Sequence, residues 1–156
     1  MFYLQEAYLN YSSIEIDVRG SPLTLERSKD VSYFCHSVLS LDRSIVFVGA
    51  INKNGRIFES SLRDDGLKTK LDAKDFEMQF MQHSLHASMM RDFDTKLGVT
   101  KFTVVEREKV SEFVFPFSLG IVLVLADPQT NPKKLAKKIS KMVYELNLWL
   151  EAKQLR

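Results

Sequence analysis

The spacing of apolar residues divides the chain into helix-like and strand-like stretches in a definite order. From about Thr24 to Leu41, the residues Val31, Phe34, Cys35, Val38 and Leu41 recur at helical spacing. In the run that follows, Ile45, Phe47, Gly49 and Ile51 alternate with Val46, Val48 and Ala50. Both faces are therefore apolar, as in an interior strand covered on each side. Asn54-Gly55 then predicts a two-residue hairpin turn, because both residue types tolerate positive φ. Ile57 and Leu62 continue the return strand, and "RDDG" (Arg63 to Gly66) ends it.

The longest helical signal is "DAKDFEMQFMQHSLHASMMRDFDTKLG", with Asp72 as N-cap and Gly98 as the C-terminal stop. At 100° per residue, Met78, Met81, Leu85, Met89 and Phe93 form one apolar stripe. Phe76, Phe80, Met90 and Leu97 form a second stripe beside it, leaving only a narrow polar strip around Glu77, Ser84, Ser88 and Arg91. A helix lying on a sheet with its back to water needs one stripe. The surplus predicts that something else packs on this helix.

Three strand patterns come next. "VTKFTVVERE" alternates and ends in a charged turn near Glu108-Lys109. "VSEFVFPF" places Phe113, Phe115 and Phe117 on one face, and Pro116 hints at an edge position or a strand end. "LGIVLVLA" is apolar on both faces, and Asp127-Pro128 closes it. In the last helix Asn131 caps, Pro132 takes the first position, and Leu135, Ile139, Met142, Leu146 and Trp149 or Leu150 make the buried stripe. Residues 1–21, with a short alternating run at Ile14, Ile16 and Val18 before Gly20-Ser21-Pro22, read as an appendage, either an edge strand or a disordered segment, to one domain over 22–156.

This order predicts an α+β fold, α-β-β-α-β-β-β-α, with antiparallel hairpins joined by a helical crossover into a single five-stranded antiparallel sheet with helices on its faces. The element order and the "INKNGRIFES" hairpin resemble the Roadblock fold, within the wider profilin-like and longin-like group, over about residues 24–150. "SLDRSIVFVGAINKNGRIFES" together with "EREKVSEFVFPF" also resembles a group of small archaeal proteins of unassigned activity. The Roadblock resemblance implies a dimer, often built by joining sheets and packing the long middle helices, and a scaffold or regulator of small GTPases. It carries no catalytic residue.

Composition changes this picture little. The chain has 156 residues and a net charge of +2, which argues against a polyanion-binding molecule as a whole. One cysteine, Cys35, allows no internal disulfide, and as a member of a helical stripe it reads as a small buried apolar residue rather than a reactive thiol. The first residues lack a basic leader and the longest apolar run is too short to cross a bilayer, so a cytoplasmic protein without a transmembrane segment is expected.

Catalytic and metal chemistry finds few candidates. There is no Gly-rich phosphate loop and no GxSxG elbow. His83 and His86 share one helical face, yet a stable zinc site needs a third ligand that nothing nearby supplies, and His36 stands alone. Asp64-Asp65 reads as a turn, Asp92 and Asp94 point apart, and "EREK" (Glu106 to Lys109) reads as a solvated hairpin tip. No metal, cofactor or catalytic residue is therefore assigned.

Charge is unevenly placed. Residues 131–156 carry seven Lys or Arg and two Glu, a local +5 that leaves −3 for the rest. Lys133, Lys134, Lys137, Lys138 and Lys141 make either a plain solvated face or a docking patch for an acidic partner or anionic lipid. Nucleic acid is disfavoured, since interleaved arginines or exposed aromatics are missing from the patch and Trp149 reads as core. The expected function is a non-enzymatic, dimeric protein–protein interaction or regulatory module, with Met78, Met81, Leu85, Met89 and Phe93 as the dimer interface and a small GTPase as a possible partner. The alternative is a small-molecule-sensing domain with a ligand held between sheet and helix against the soft Met and Phe side chains.

Overall fold

The computed structural model describes residues 22–63 and 72–154. The expected appendage at 1–21 and the Asp64-Asp65 turn lie outside them. Helix α1 (Pro22–Leu39) leads into strands β1 (Ile45–Asn52) and β2 (Ile57–Leu62). Helix α2 (Ala73–Met90) continues through a 3-10 turn (Arg91–Phe93) into the single helical turn α3 (Asp94–Leu97). Strands β3 (Thr103–Glu106), β4 (Ser111–Phe117) and β5 (Gly120–Ala126) and helix α4 (Pro132–Gln154) complete the chain. The strands form one antiparallel sheet in the order β2-β1-β5-β4-β3, so the two strands that are apolar on both faces, β1 and β5, are both interior, with β5 at the centre.

The β1–β2 connection departs from the expected two-residue turn. The Asn52 N–H donates to the Arg56 carbonyl at 2.8 Å and the Gly55 N–H to the Asn52 carbonyl at 3.0 Å, which encloses three loop residues. Only Gly55 has positive φ, at 78°, so Asn54 is not left-handed. This is the three-residue hairpin in which a turn is followed by a left-handed glycine. The tip rests on α2: a Cβ at Gly55 would stand 3.1 Å from Met81 Cγ.

Pro116 sits in the middle of the sheet's width but in the part of β4 that outruns β3, whose pairing stops at Thr103 opposite Val114. The missing N–H therefore removes no ladder bond to β3. At the following hairpin Gly120 has φ 149°, and a Cβ there would lie 2.0 Å from the Ile51 carbonyl oxygen. No other residue type fits.

Each face of the sheet has its own core. On one side Val48, Ala50, Phe113, Phe115 and Val124 pack against Val31, Phe34 and Cys35 of α1 and Leu135, Ile139 and Val143 of α4. On the other side α2 is the one helix among the described residues that covers the sheet, and Phe47, Ile121, Leu123 and Leu125 meet Phe76, Phe80 and Ala87. The rings of Phe47, Phe76 and Phe80 cluster with centroids 6.0–6.3 Å apart. Cys35 is fully buried, and loss of hydration pushes its thiol pKa far up, so it is an inert core residue.

Three core assignments change. Leu41 is exposed because α1 ends in a tightened turn, with the Leu41 N–H bonded to the Val38 carbonyl, and the chain has left the helix by Asp42. In α4 the last buried residue is Leu150, Trp149 is 54% exposed, and Met142 is only partly buried while Val143 takes the inward place. Arg63, read only as a strand terminator, reaches back to the Leu39, Asp42 and Ile45 carbonyls and ties the end of α1 to the sheet.

Candidate interaction surface

Helix α2 starts from a capping box. Asp72 accepts from the Asp75 N–H at 2.9 Å, and the Asp75 carboxylate accepts from the Asp72 N–H at 3.2 Å. With this end fixed, the helical phase decides which residues reach the sheet. Phe76, Phe80 and Ala87 point inward and are buried. Met78, Met81, Leu85 and Met89 point outward and are 60–63% exposed, and Phe93 is 58% exposed. The outer stripe thus has no covering within the described chain.

The second stripe does not hold together as expected. Phe76 and Phe80 are core and Met90 is half-buried, with its Sδ 3.8 Å from the Thr103 hydroxyl. Leu97, however, is 81% exposed. The 3-10 turn at Arg91–Phe93 winds more tightly than an α-helix, so residues after it lose register with those before. Leu97 and Val99 then extend the exposed apolar surface beyond the end of α2.

The histidine pair is separated by its surroundings. His86 is exposed, whereas His83 is half-buried with Nε2 3.7 Å from Glu112 Oε1. Glu112 is 1% exposed on the α2 side of β4 and accepts from Arg107 Nε at 2.9 Å. Burial works to raise its pKa, but the hydrogen bonds and charges of His83 and Arg107 outweigh that and hold it below the ordinary carboxylate value. Arg107 belongs to the "EREK" tip, so that tip is anchored and not simply solvated. Nothing in the local pattern marked Glu112, whose partners lie on a different helix and across the hairpin. Among the described residues no cluster of three or more His, Cys, Asp or Glu is placed to hold a metal.

A shallow cleft of about 570 Å³ opens where the hairpin tip meets α2, lined by Asn54, Arg56, Ile57, Glu77, Phe80 and Met81. The space between α2 and the sheet itself is filled by the three phenylalanines, and Met78, Met81 and Met89 face away from it. On the far side of the sheet Lys133, Lys134, Lys137, Lys138 and Lys141 are all exposed. Among the described residues no helix is long and apolar enough to cross a membrane.

No protein-family model matches the sequence, and no curated protein does. Solved structures do match. The Roadblock/LC7 domain from Streptomyces avermitilis aligns with a TM-score of 0.58 at 15% identity, over 77% of this chain and 97% of that one. The gliding protein MglB from Thermus thermophilus aligns with 0.59 at 11% identity, over 78% and 90%. MglB from Myxococcus xanthus aligns with 0.57 at 16% identity, over 79% and 91%. At such identities the likeness is one of backbone architecture, and it covers nearly all of each neighbour. This chain has the Roadblock/LC7 fold.

Proposed function

We propose that this protein is a non-enzymatic protein–protein interaction or regulatory module that works as a homodimer, joined through the outer stripe of α2, and that it regulates or scaffolds a partner such as a small GTPase. One observation carries the reading: Met78, Met81, Leu85, Met89 and Phe93 form a continuous outward row, each more than half exposed. Contiguous apolar patches of that kind mark association surfaces on folded proteins. Methionine-rich ones adapt to a facing surface. A protein of the same fold, MglB, is described in a tetrameric arrangement, which supports assembly as a habit of this architecture.

The test is the double variant Met81→Glu with Leu85→Glu. Two charges on the row should convert a dimer into a folded monomer, seen as a halved mass with an unchanged circular dichroism spectrum. A dimer that survives both charges would reject this surface. The second reading, small-molecule sensing, rests on the cleft beside Met81, and native mass spectrometry of gently purified protein would show the bound molecule.

A further inference from the structure

The lysines of α4 share their side of the helix with residues of a different kind. The helix buries Leu135, Ala136, Ile139, Val143, Leu146 and Leu150 toward the sheet. Its opposite side carries the five lysines over the first two and a half turns, about 12 Å of helix. The same side then carries Tyr144, Leu148 and Trp149, exposed by 64%, 49% and 54%, interspersed with the exposed Glu145 and Glu151 and with Lys153 Nζ 5.2 Å from the Trp149 ring centroid. Neighbouring α1, antiparallel to α4 and tied to it by Lys153 on Asp30 at 2.7 Å, shows Tyr33 at 76% exposure. We infer that this outward face of the α1–α4 layer is a peripheral docking surface for a bilayer containing anionic phospholipids.

Two features favour a membrane over an acidic protein, and two more fit a docking role in general. Every cation of α4 is lysine, a mobile, strongly hydrated point charge suited to a diffuse negative surface, where a defined carboxylate site would favour the arginine fork. Tyr, Trp and Leu beside the lysines match the depth at which a headgroup layer gives way to acyl chains, with aromatic rings at the boundary. Lys133 and Lys134 occupy the first turn, which holds no acidic residue, so they sit against the helix dipole and do not serve the helix itself. The face also lies across the sheet from the α2 stripe, so docking here and association there use separate surfaces.

Trp149 is the only tryptophan and reports its own environment. The full chain is titrated with vesicles of phosphatidylcholine alone and with phosphatidylglycerol added. Only the anionic vesicles should co-sediment the protein and shift Trp149 emission to the blue, and added salt should reverse both. Lys137→Glu with Lys141→Glu should lower the vesicle partition roughly 10-fold or more, with helix content and oligomeric mass unchanged. No co-sedimentation with phosphatidylglycerol vesicles would overturn the inference. So would binding of soluble polyglutamate in its place, with the same lysine dependence, which would make the patch a site for an acidic protein.

Discussion

Helices α1 and α4 together cover one face of the sheet, and their apolar residues point into it, Val31, Phe34 and Val38 from one and six residues from the other. Among the described residues helix α2 covers the opposite face by itself, sends in Phe76, Phe80 and Ala87, and turns an equally apolar row to the outside. Both α2 and α4 are amphipathic at helical spacing, yet the outward side of α4 begins with five lysines and turns apolar only at Tyr144, Leu148 and Trp149, whereas that of α2 carries an apolar row along its length. An apolar residue kept mostly outward on a helix contributes little to the fold of a lone chain; Met81 of the row rests against the hairpin tip at Gly55. The contrast between the helices therefore separates residues that build the protomer from residues available to a second protein.

Truncating matched positions sharpens that contrast. Phe80→Ala removes one ring of the three-ring cluster and should cost about 3–5 kcal/mol of folding stability by denaturant titration. The neighbouring Met81→Ala should leave protomer stability within about 0.5 kcal/mol. Ile139→Ala in α4 should cost about 2–5 kcal/mol, and its melting-temperature shift should be the same at every protein concentration. Leu85→Ala should lower the melting temperature through its effect on association, since a partner that binds only the folded chain stabilises it in proportion to concentration. A Leu85→Ala shift that ignores concentration would assign that residue to the protomer.

The two faces also differ in one carboxylate each, the buried Glu112 and the half-buried Glu59. Glu112, on the α2 side, is held below its unfolded pKa. Its contribution is present above pH ~4.3 and is lost as the pH falls through the lower folded value. Glu112→Gln should therefore cost about 1–3 kcal/mol at neutral pH and remove much of the acid-side fall in melting temperature. Glu59, on the α1 side, has its pKa raised by burial, which its bonds with Ser28 and Ser32 and the nearby His36 do not fully offset. Here the sign is opposite: stability is greatest below pH ~4.3 and is lost as the pH rises through the elevated folded value. Glu59→Gln should stabilise the neutral protein by up to about 1 kcal/mol and change little in acid. Melting curves over the two pH ranges read both effects.

Much of the architecture was legible from spacing alone. Strands apolar on both faces announced interior positions, and β1 and β5 occupy them, β5 at the centre. The Asn131 cap and Pro132 placed the start of α4, where Asn131 Oδ1 accepts from the Lys134 N–H. What spacing cannot supply is the azimuth of a helix over a sheet. The pattern showed two stripes on α2, and tertiary packing chose which one turned inward. The 3-10 turn after Met90 was hidden for a related reason: 91–93 continue a helical pattern, but a local change of winding carried Leu97 out of line. Trp149 and Leu150 were equal candidates for burial because a one-residue step is a 100° rotation, which only the position of the sheet decides. Glu112 went unmarked since His83 and Arg107, the groups that make its burial tolerable, come from elsewhere.

The central claim is that the outer row of α2 is covered by a second copy of the chain. Multi-angle light scattering of the unmodified protein at micromolar concentration tests it most directly. The account predicts a mass twice the 18.0 kDa of one chain, falling toward that value on dilution. A mass of one chain at every concentration would contradict it and leave Met78, Met81, Leu85, Met89 and Phe93 to some other partner.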